Sequence, residues 1–336
     1  MHLRAVAREV SFMKGAELVR QGEATRGCFL IRAGSVEARV ALPGGGAITV
    51  AQFRDGDMFG EMALVERGVV SATVVAQSNV DAWFIGRDDF RALVASREIA
   101  ALETQRAITR ALADRLRALN ARVHDHPSAE DRPFDDAAPA ADPLSGAGRS
   151  LHASFDWQAF LPVLPFFEGF DADATDELVS HGRVLELPRG AWAFVAGAPA
   201  AACYLVLRGA LEIFVRGKRD AASGIGIERR VAIAGPGELV GFMAAITGAP
   251  RANNARAREA CCLLELPREG FMAVYNGDSA TTVSLHHAIH RSLMRSIVRT
   301  NTQLTRLIAH ARLERNERKA EELEIALFAQ IARAGF

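Results

Sequence analysis

The chain has 336 residues, of which 49% are hydrophobic and 24% are charged. Forty lysines and arginines balance forty aspartates and glutamates, so the chain lacks the overall positive charge that draws many proteins to nucleic acid. This length suffices for two domains, each with its own hydrophobic core. The first residues include Arg4, Arg8 and Glu9 and no long apolar run. We therefore expect no signal peptide and no membrane anchor, and we predict a cytoplasmic protein.

Neither the cysteines nor the histidines have the spacing of a metal or catalytic site. The cysteines are Cys28, Cys203, Cys261 and Cys262, which we interpret as reduced, buried thiols. His286, His287 and His290 fall in one helical segment without a carboxylate or cysteine at ligand spacing. No Walker-type loop or nucleophile elbow occurs. The sequence predicts no catalytic residue, no metal site, no cofactor and no enzyme activity.

One pattern of glycines and aromatic residues occurs twice in the chain. Three glycines recur 175 residues later, namely Gly15, Gly22 and Gly34 as Gly190, Gly197 and Gly209. Further on, Gly60 and Phe90 recur 181 residues later as Gly241 and Phe271. A repeat of this length predicts two related domains in tandem. The larger second spacing predicts a longer loop in the second copy, around residues 217–226.

In chain order, each copy begins with strands and ends with a helix. Residues 10–85 and 184–266 contain short apolar or alternating runs separated by glycines, a pattern typical of β-strands and turns. Residues 43–46, Pro-Gly-Gly-Gly, predict a hairpin tip. Residues 155–181 predict a helix with Asp173 as its N-cap.

Apolar residues at helical spacing follow each strand region. They are Ile108, Leu112, Leu116, Leu119 and Val123 in the first copy, and Leu285, Ile289, Leu293, Ile297, Leu304 and Ile308 in the second. Such a stripe fits packing on the chain's own domain as well as dimerisation, and two stripes in one chain favour a homodimer. Residues 126–154, rich in Pro, Ala, Asp, Ser and Gly, predict a flexible linker. The predicted domains are residues 1–125 and 155–312, with a C-terminal amphipathic helix at 313–336.

The segment Phe59-Gly-Glu-Met-Ala-Leu64, followed by Ser71-Ala-Thr-Val74, resembles the phosphate-binding cassette of the cyclic-nucleotide-binding domain family. This family includes catabolite activator protein and the regulatory subunits of protein kinase A. The resemblance covers residues 9–123 and again 160–300, and the second cassette is the weaker match. It implies an α+β fold with two antiparallel, jelly-roll-like β-rolls of eight strands. A long amphipathic helix then follows each β-roll.

The family uses two side chains of the cassette to hold its ligand. A glutamate directly after the cassette glycine accepts the ribose 2′-hydroxyl, and an arginine ten residues after the glycine pairs with the cyclic phosphate. The first copy has Glu61 at the ribose position but Val70 at the phosphate position. The second copy has the reverse, Phe242 and Arg251. Because an arginine fork binds phosphate through two charge-assisted hydrogen bonds, we expect the second pocket to be the better nucleotide site.

The resemblance implies two sets of nucleotide-binding residues. In the first cassette they are Phe59, Gly60, Glu61, Met62, Ala63, Ser71, Ala72 and Thr73. In the second cassette they are Val240, Gly241, Phe242, Met243, Arg251, Ala252 and Asn253.

Four residues leave alternatives open at this stage. Phe242 either stacks on the base of an altered ligand or fills the core. Asn253 and Asn254 either donate to a ligand or cap a turn. Arg67 either reaches into the first pocket or lies in solvent.

We predict a regulatory protein that binds cAMP, cGMP or a cyclic dinucleotide and signals through its helices to a protein partner. The alternative is that both pockets have degenerated and the β-rolls serve as assembly modules. The residues after 271 form mostly one long helix, which leaves no room for a helix-turn-helix unit. A DNA-binding transcriptional regulator is therefore the least favoured of the three hypotheses. A membrane is not an expected partner either.

Overall fold

The computed structural model describes residues 6–24, 26–41, 46–65, 70–124, 131–134, 138–139, 144, 157–217 and 225–333. The side chains of residues 65, 124 and 312–333 are not described. Most of the predicted hairpin tip at 43–46, most of the predicted linker and Arg67 lie outside these ranges.

The first domain is an antiparallel β-roll made of two four-stranded sheets. Its strands are β1 (Ala7–Phe12), β2 (Glu17–Val19), β3 (Gly27–Ala33), β4 (Val36–Ala41), β5 (Ala47–Phe53), β6 (Met58–Phe59), β7 (Thr73–Ala76) and β8 (Val80–Gly86). One sheet has the order β1-β8-β3-β6 and the other β2-β7-β4-β5. The short helix α1 (Met62–Val65) connects β6 to β7, and α2 (Arg87–Ala95) and α3 (Ile99–His124) follow β8.

The second domain repeats this topology with one added strand. Its strands are β10 (Arg183–Leu187), β11 (Trp192–Phe194), β12 (Ala202–Arg208), β13 (Leu211–Arg216), β14 (Gly226–Ala234), β15 (Leu239–Val240), β16 (Asn254–Ala257) and β17 (Cys261–Pro267). The sheet orders are β10-β17-β12-β15 and β11-β16-β13-β14-β9, where β9 (Arg132–Phe134) comes from the segment between the domains. This architecture confirms the predicted pair of β-rolls in an α+β fold.

The repeat extends to individual backbone hydrogen bonds. The Gly22 amide donates to the Val70 carbonyl at 2.9 Å, and the Gly197 amide donates to the Arg251 carbonyl at 2.8 Å. Both glycines have left-handed φ angles, 88° and 84°, which side chains disfavour. The recurring glycines were therefore a reliable sequence signal, because each makes a turn that other residues would strain.

The segment before the second β-roll differs from the single helix predicted at 155–181. It forms two 3₁₀ helices (Gln158–Val163 and Pro165–Phe167) and then α4 (Ala172–Ser180). The predicted N-cap at Asp173 was wrong, because the side chain of Asp171 accepts the Ala174 amide at 2.8 Å. Prolines within the segment, Pro162 and Pro165, limit α-helix formation because they lack an amide hydrogen.

The second β-roll is followed by α5 within its cassette (Phe242–Thr247), then by α6 (Arg268–Asn276) and α7 (Ala280–Arg333). Helix α7 runs without a break through residues 312 and 313, where the sequence predicted a separate C-terminal helix. Helices α3 and α7 pack against each other within one chain. The apolar stripes of both helices are buried in this core, including Ile108, Leu112, Leu285 and Ile289 at 0% exposure.

The packing of α3 on α7 removes the observation behind the predicted homodimer. Each stripe needed an apolar partner, and the other helix of the same chain supplies one for the described residues. Spacing along a helix identifies the face that packs but not the chain that covers it. The homodimer stays a prediction without support from these stripes.

Part of the predicted flexible linker is docked on the second β-roll. Strand β9 pairs with the edge of β14, with Phe134 opposite Gly226. The guanidinium of Arg229 in β14 donates to both carboxylate oxygens of Asp131, at 2.6 and 2.5 Å. A sheet edge binds backbone regardless of side-chain hydrophobicity, which explains why composition alone missed this strand.

The interface of α3 and α7 also contains buried polar groups. His286 lies 2.9 Å from the Tyr275 carbonyl and 3.1 Å from the side-chain amide of Gln105. Burial lowers the pKa of His286 to about 4, and it lowers the pKa of the fully buried His290 as well. Both imidazoles are therefore neutral at pH 7.

The four cysteines are buried and unpaired, as predicted. Burial raises the pKa of each thiol, which keeps the thiols protonated at neutral pH.

Candidate functional site

The first cassette turns sharply at Gly60 and then forms α1. Gly60 has a φ angle of 74°, and a Cβ atom at this position would lie 3.1 Å from the Gly27 carbonyl oxygen. Phe59, 1% exposed, anchors the cassette by stacking on Phe29 at a centroid distance of 5.0 Å. This anchoring holds the next residue, Glu61, against the interior of the β-roll.

Glu61 is 1% exposed and has only one of its two carboxylate oxygens paired. Arg115 of α3 donates to Oε1 at 3.0 Å, and its guanidinium lies 4.8 Å from the centre of the Phe53 ring. Among the described residues, Oε2 of Glu61 has no hydrogen-bond partner. A buried acceptor without a donor is costly, so this oxygen marks a place where a ligand donor would be stabilised.

A cavity of about 580 Å³ lies beside Glu61. Its volume falls within the range of about 300–1,000 Å³ that is usual for small-molecule sites. The predicted residues that line it are Phe59, Gly60, Glu61, Met62, Ser71 and Ala72. Val70 also lines it, at the position where the family arginine would stand.

Two predicted residues of the first cassette are placed outside this cavity lining. Ala63 is fully buried, and its carbonyl accepts the Arg87 side chain at 2.5 Å. The Thr73 hydroxyl accepts the Gln21 amide at 3.1 Å and so holds a turn. Their contacts are with protein groups.

The second pocket has the same backbone but is largely filled. Gly241 has a φ angle of 78°, and Phe242 is 6% exposed and packs in the main hydrophobic core. The remaining cavity is about 140 Å³. All seven predicted residues line it, namely Val240, Gly241, Phe242, Met243, Arg251, Ala252 and Asn253. The core alternative for Phe242 thus agrees with its packing.

Arg251 is buried, 3% exposed, and its guanidinium is held by the protein itself. It donates to the Gly241 carbonyl at 3.0 Å and to the Ala202 carbonyl at 2.7 Å. Its guanidinium also lies 4.3 Å from the centre of the Phe194 ring. The guanidinium therefore lies inside the pocket, and it already donates hydrogen bonds to backbone carbonyls there.

Asn254 has a structural role, which supports the turn-capping alternative for this residue. Its side-chain oxygen accepts the Ala196 amide at 2.9 Å, and its side-chain nitrogen donates to the Phe214 carbonyl at 3.4 Å. The first of these bonds is the counterpart of the bond between Gln21 and Thr73. Asn253, in contrast, lines the cavity.

Helix α3 contributes to both pockets. Arg115 lines the first cavity, while Leu116, Arg117 and Asn120 line the second. Helix α7 adds Ser292, Ser296, Arg299 and Thr300 to the second cavity. Sequence reasoning missed Arg115 because it lies 54 residues from Glu61, and only the packing of α3 brings the two together.

Within the described ranges, no three His, Cys, Asp or Glu side chains are grouped closely enough to hold a metal ion. In the same ranges, no helix combines the length and the apolar character needed to cross a membrane.

Comparison with known proteins identifies the family of this fold. Residues 9–97 and 184–278, more than half of the chain, match the cyclic nucleotide-binding domain. No curated protein matches the chain.

Solved structures that match the chain cover either most of it or a single β-roll. The regulatory domain of Toxoplasma gondii PKA with cAMP is 21% identical, with 81% of this chain and 82% of that chain covered and a TM-score of 0.30. The regulatory subunit of a cAMP-independent protein kinase A from Trypanosoma brucei is 16% identical, with 82% and 78% covered and a TM-score of 0.31. A cyclic nucleotide-binding-like protein from Brucella abortus is 25% identical, with 28% and 79% covered and a TM-score of 0.26. By the match of both β-rolls, the chain belongs to the cyclic nucleotide-binding domain family and carries two of its domains in tandem.

Proposed function

We propose that the protein is a regulator that responds to a nucleotide or nucleoside, which binds in the first β-roll beside Glu61. The observation that carries this proposal is Oε2 of the buried Glu61, which has no hydrogen-bond partner among the described residues and lies at the wall of a 580 Å³ cavity. Family membership supports a ribose-containing ligand at this position. The first pocket therefore has both the space and the unsatisfied polar atom that a ligand needs.

The second pocket is the weaker candidate, in contrast to the expectation from sequence alone. Two N–H groups of Arg251 already donate to the carbonyls of Gly241 and Ala202, so a phosphate that took these donors would leave both carbonyls unpaired. Each carbonyl left unpaired and buried would cost about 1–3 kcal/mol. The remaining 140 Å³ is also smaller than usual ligand sites. These features favour a structural role for the second β-roll, in keeping with an assembly module.

Helix α3 offers a route from the ligand to the rest of the protein. A ligand hydroxyl that donates to Oε2 of Glu61 would share this carboxylate with Arg115 of α3, which donates to Oε1. The neighbouring residues Leu116 and Arg117 line the second cavity, and α3 packs on α7, so a shift of α3 would alter both. The ligand would then favour one of two arrangements of these helices, which a protein partner could recognise.

Isothermal titration calorimetry with adenine and guanine nucleosides, nucleotides and cyclic nucleotides tests this proposal. We expect saturable heat with at least one ligand, at least tenfold weaker binding in Glu61→Gln and unchanged binding in Glu9→Gln. Glu9 is a matched control because its side chain is 73% exposed on the same β-roll. Flat titrations with every ligand would reject the proposal and favour a ligand-free assembly protein.

A further inference from the structure

We infer that the ligand of the first pocket is an uncharged ribonucleoside, held by its vicinal hydroxyls and not by a phosphate. This inference rests on the proposed function and specifies its ligand. Three observations support it: the charges that line the cavity, the Glu61 oxygen that lacks a hydrogen-bond donor, and the apolar walls of the cavity.

The charged groups of the cavity are already balanced. Its described lining contains two carboxylates, Glu23 and Glu61, and two guanidiniums, Arg26 and Arg115. The buried pair among them, Glu61 and Arg115, is joined at 3.0 Å, whereas Arg26 is exposed to solvent. A neutral ligand preserves this balance, while a phosphate would add a negative charge to it.

The position that would neutralise a phosphate is apolar. Val70 occupies the place that Arg251 holds in the second copy, and both carbonyls accept the corresponding glycine amide, Gly22 or Gly197. The side chain of Val70 can neither donate a hydrogen bond nor carry a charge. A phosphate that leaves water at this wall would lose its hydration, and the side chain of residue 70 offers no charge to replace it.

Glu61 requires donors, and a ribose supplies them. An ionised carboxylate only accepts hydrogen bonds, and Oε2 has no donor within the described residues. The 2′- and 3′-hydroxyls of a nucleoside are adjacent donors that can approach one carboxylate together. In a 3′,5′-cyclic nucleotide the 3′ oxygen is esterified, so one donor is lost and an anion lies next to the carboxylate.

The other walls suit a heterocyclic base. Phe29, Phe53 and Phe84 line the cavity together with apolar side chains of the two sheets. Flat aromatic rings bury well against such walls and need few specific polar contacts. The lining therefore offers a polar end for a sugar and an apolar end for a base.

The test measures the affinities of adenosine, guanosine, the 2′-deoxy and 3′-deoxy forms of both, cAMP and cGMP by calorimetry. For the wild type we expect at least one ribonucleoside to bind at least tenfold more tightly than its cyclic monophosphate. If adenosine is the ligand, its 2′-deoxy and 3′-deoxy forms should bind more weakly than adenosine. If guanosine is the ligand, its two deoxy forms should bind more weakly than guanosine. A cyclic monophosphate differs from its nucleoside both by the loss of the free 3′-hydroxyl and by an added negative charge. The 3′-deoxynucleoside lacks only the hydroxyl, so it measures the first of these two effects alone.

Val70→Arg provides a gain-of-function variant of the same pocket. We expect it to raise the affinity for the cyclic monophosphate at least tenfold, because the new guanidinium would stand where the family holds its phosphate. Glu61→Gln should weaken ribonucleoside binding at least tenfold. If Val70→Arg fails to fold, the comparison among ligands on the wild type decides the question alone.

The outcomes separate this inference from the proposed function. Cyclic monophosphates that bind the wild type as tightly as the nucleosides would overturn the inference and leave the proposed function intact. Equal affinity for ribonucleosides and their deoxy forms would also overturn it. No binding by any of these compounds would overturn the inference, and the proposed function would fail with it if the non-cyclic nucleotides also gave flat titrations.

Discussion

The two pockets share a backbone and differ in how their polar groups are satisfied. Gly60 and Gly241 turn the cassettes with φ angles of 74° and 78°. In the first pocket the buried charged residue, Glu61, keeps one oxygen unpaired beside a cavity of about 580 Å³. In the second, Arg251 donates to two carbonyls, and about 140 Å³ remains.

This comparison shows that a motif residue is not by itself a site. Arg251 matches the family pattern, yet its donors stabilise the carbonyls of Gly241 and Ala202. Glu61 also matches the pattern, and its Oε2 atom has no hydrogen-bond donor among the described residues. Hydrogen-bond satisfaction, which a sequence does not display, distinguishes a candidate binding residue from one that holds the fold together.

The largest expected effect comes from Phe242→Ala, which would break the filled state of the second pocket. Phe242 is 6% exposed in the core, so its removal should lower the free energy of unfolding by about 3–5 kcal/mol. Chemical denaturation measures this loss. Met243→Ala, beside it and only partly buried, is the control and should cost less. A loss below about 1 kcal/mol in Phe242→Ala would contradict the idea that this ring fills the pocket.

Acidification should destabilise the interface between α3 and α7, where His286 and His290 are buried. The pKa of His286 is lowered from 6.5 to about 4 in the folded protein. Between pH 6.5 and pH 4, His286 is therefore protonated in the unfolded chain and neutral in the folded one. Stability is therefore complete above pH 6.5 and falls as the pH drops towards 4, by about 3 kcal/mol. The lowered pKa of His290 acts in the same direction.

Denaturation at pH 7.5 and at pH 4.5 measures this effect. His286→Gln should reduce the difference between the two pH values, because the substituted residue no longer titrates. His310→Gln, at an exposed position of the same helix, should leave the difference unchanged. An equal pH dependence in wild type and His286→Gln would contradict this account.

The sequence predicted the fold far better than it predicted the site. Glycine spacing and alternating strands fix local turns and faces, so the two β-rolls follow from short-range patterns. The size of each cavity and the pairing of Glu61 with Arg115 depend on how α3 packs, 54 residues away. The partner of each helix stripe and the docking of β9 depend in the same way on surfaces that meet only after folding.

Arg115→Met tests whether the open pocket depends on its buried ion pair. Without the guanidinium, Glu61 would keep a buried charge with no described partner. Because the side chain of Arg115 is 18% exposed, we expect a loss of about 2 kcal/mol, as for a hydrogen bond to a charged group, and not the roughly 3–5 kcal/mol of a fully buried pair. Arg117→Met is the control, since Arg117 and Asp114 are exposed and such pairs contribute about 0–1 kcal/mol. Thermal denaturation compares the two. In a double-mutant cycle, Arg115→Met should cost clearly less when Glu61→Gln is also present, and additive losses would argue against the pair.

The smallest expected effect concerns the strand that only the second β-roll has. Asp131→Asn would replace a carboxylate that accepts two bonds from Arg229 with a neutral group that has one accepting oxygen. We expect a loss of about 1 kcal/mol, because charge-assisted hydrogen bonds contribute more than neutral ones. Hydrogen exchange should become faster in β9 and in β14, where the two strands pair, and stay unchanged in the first β-roll. Asp114→Asn, at an exposed ion pair on α3, is the control. If β9 and β14 exchange at wild-type rates in Asp131→Asn, the backbone hydrogen bonds alone hold β9 on the second β-roll. The ion pair of Asp131 with Arg229 would then contribute nothing to the docking of this added strand.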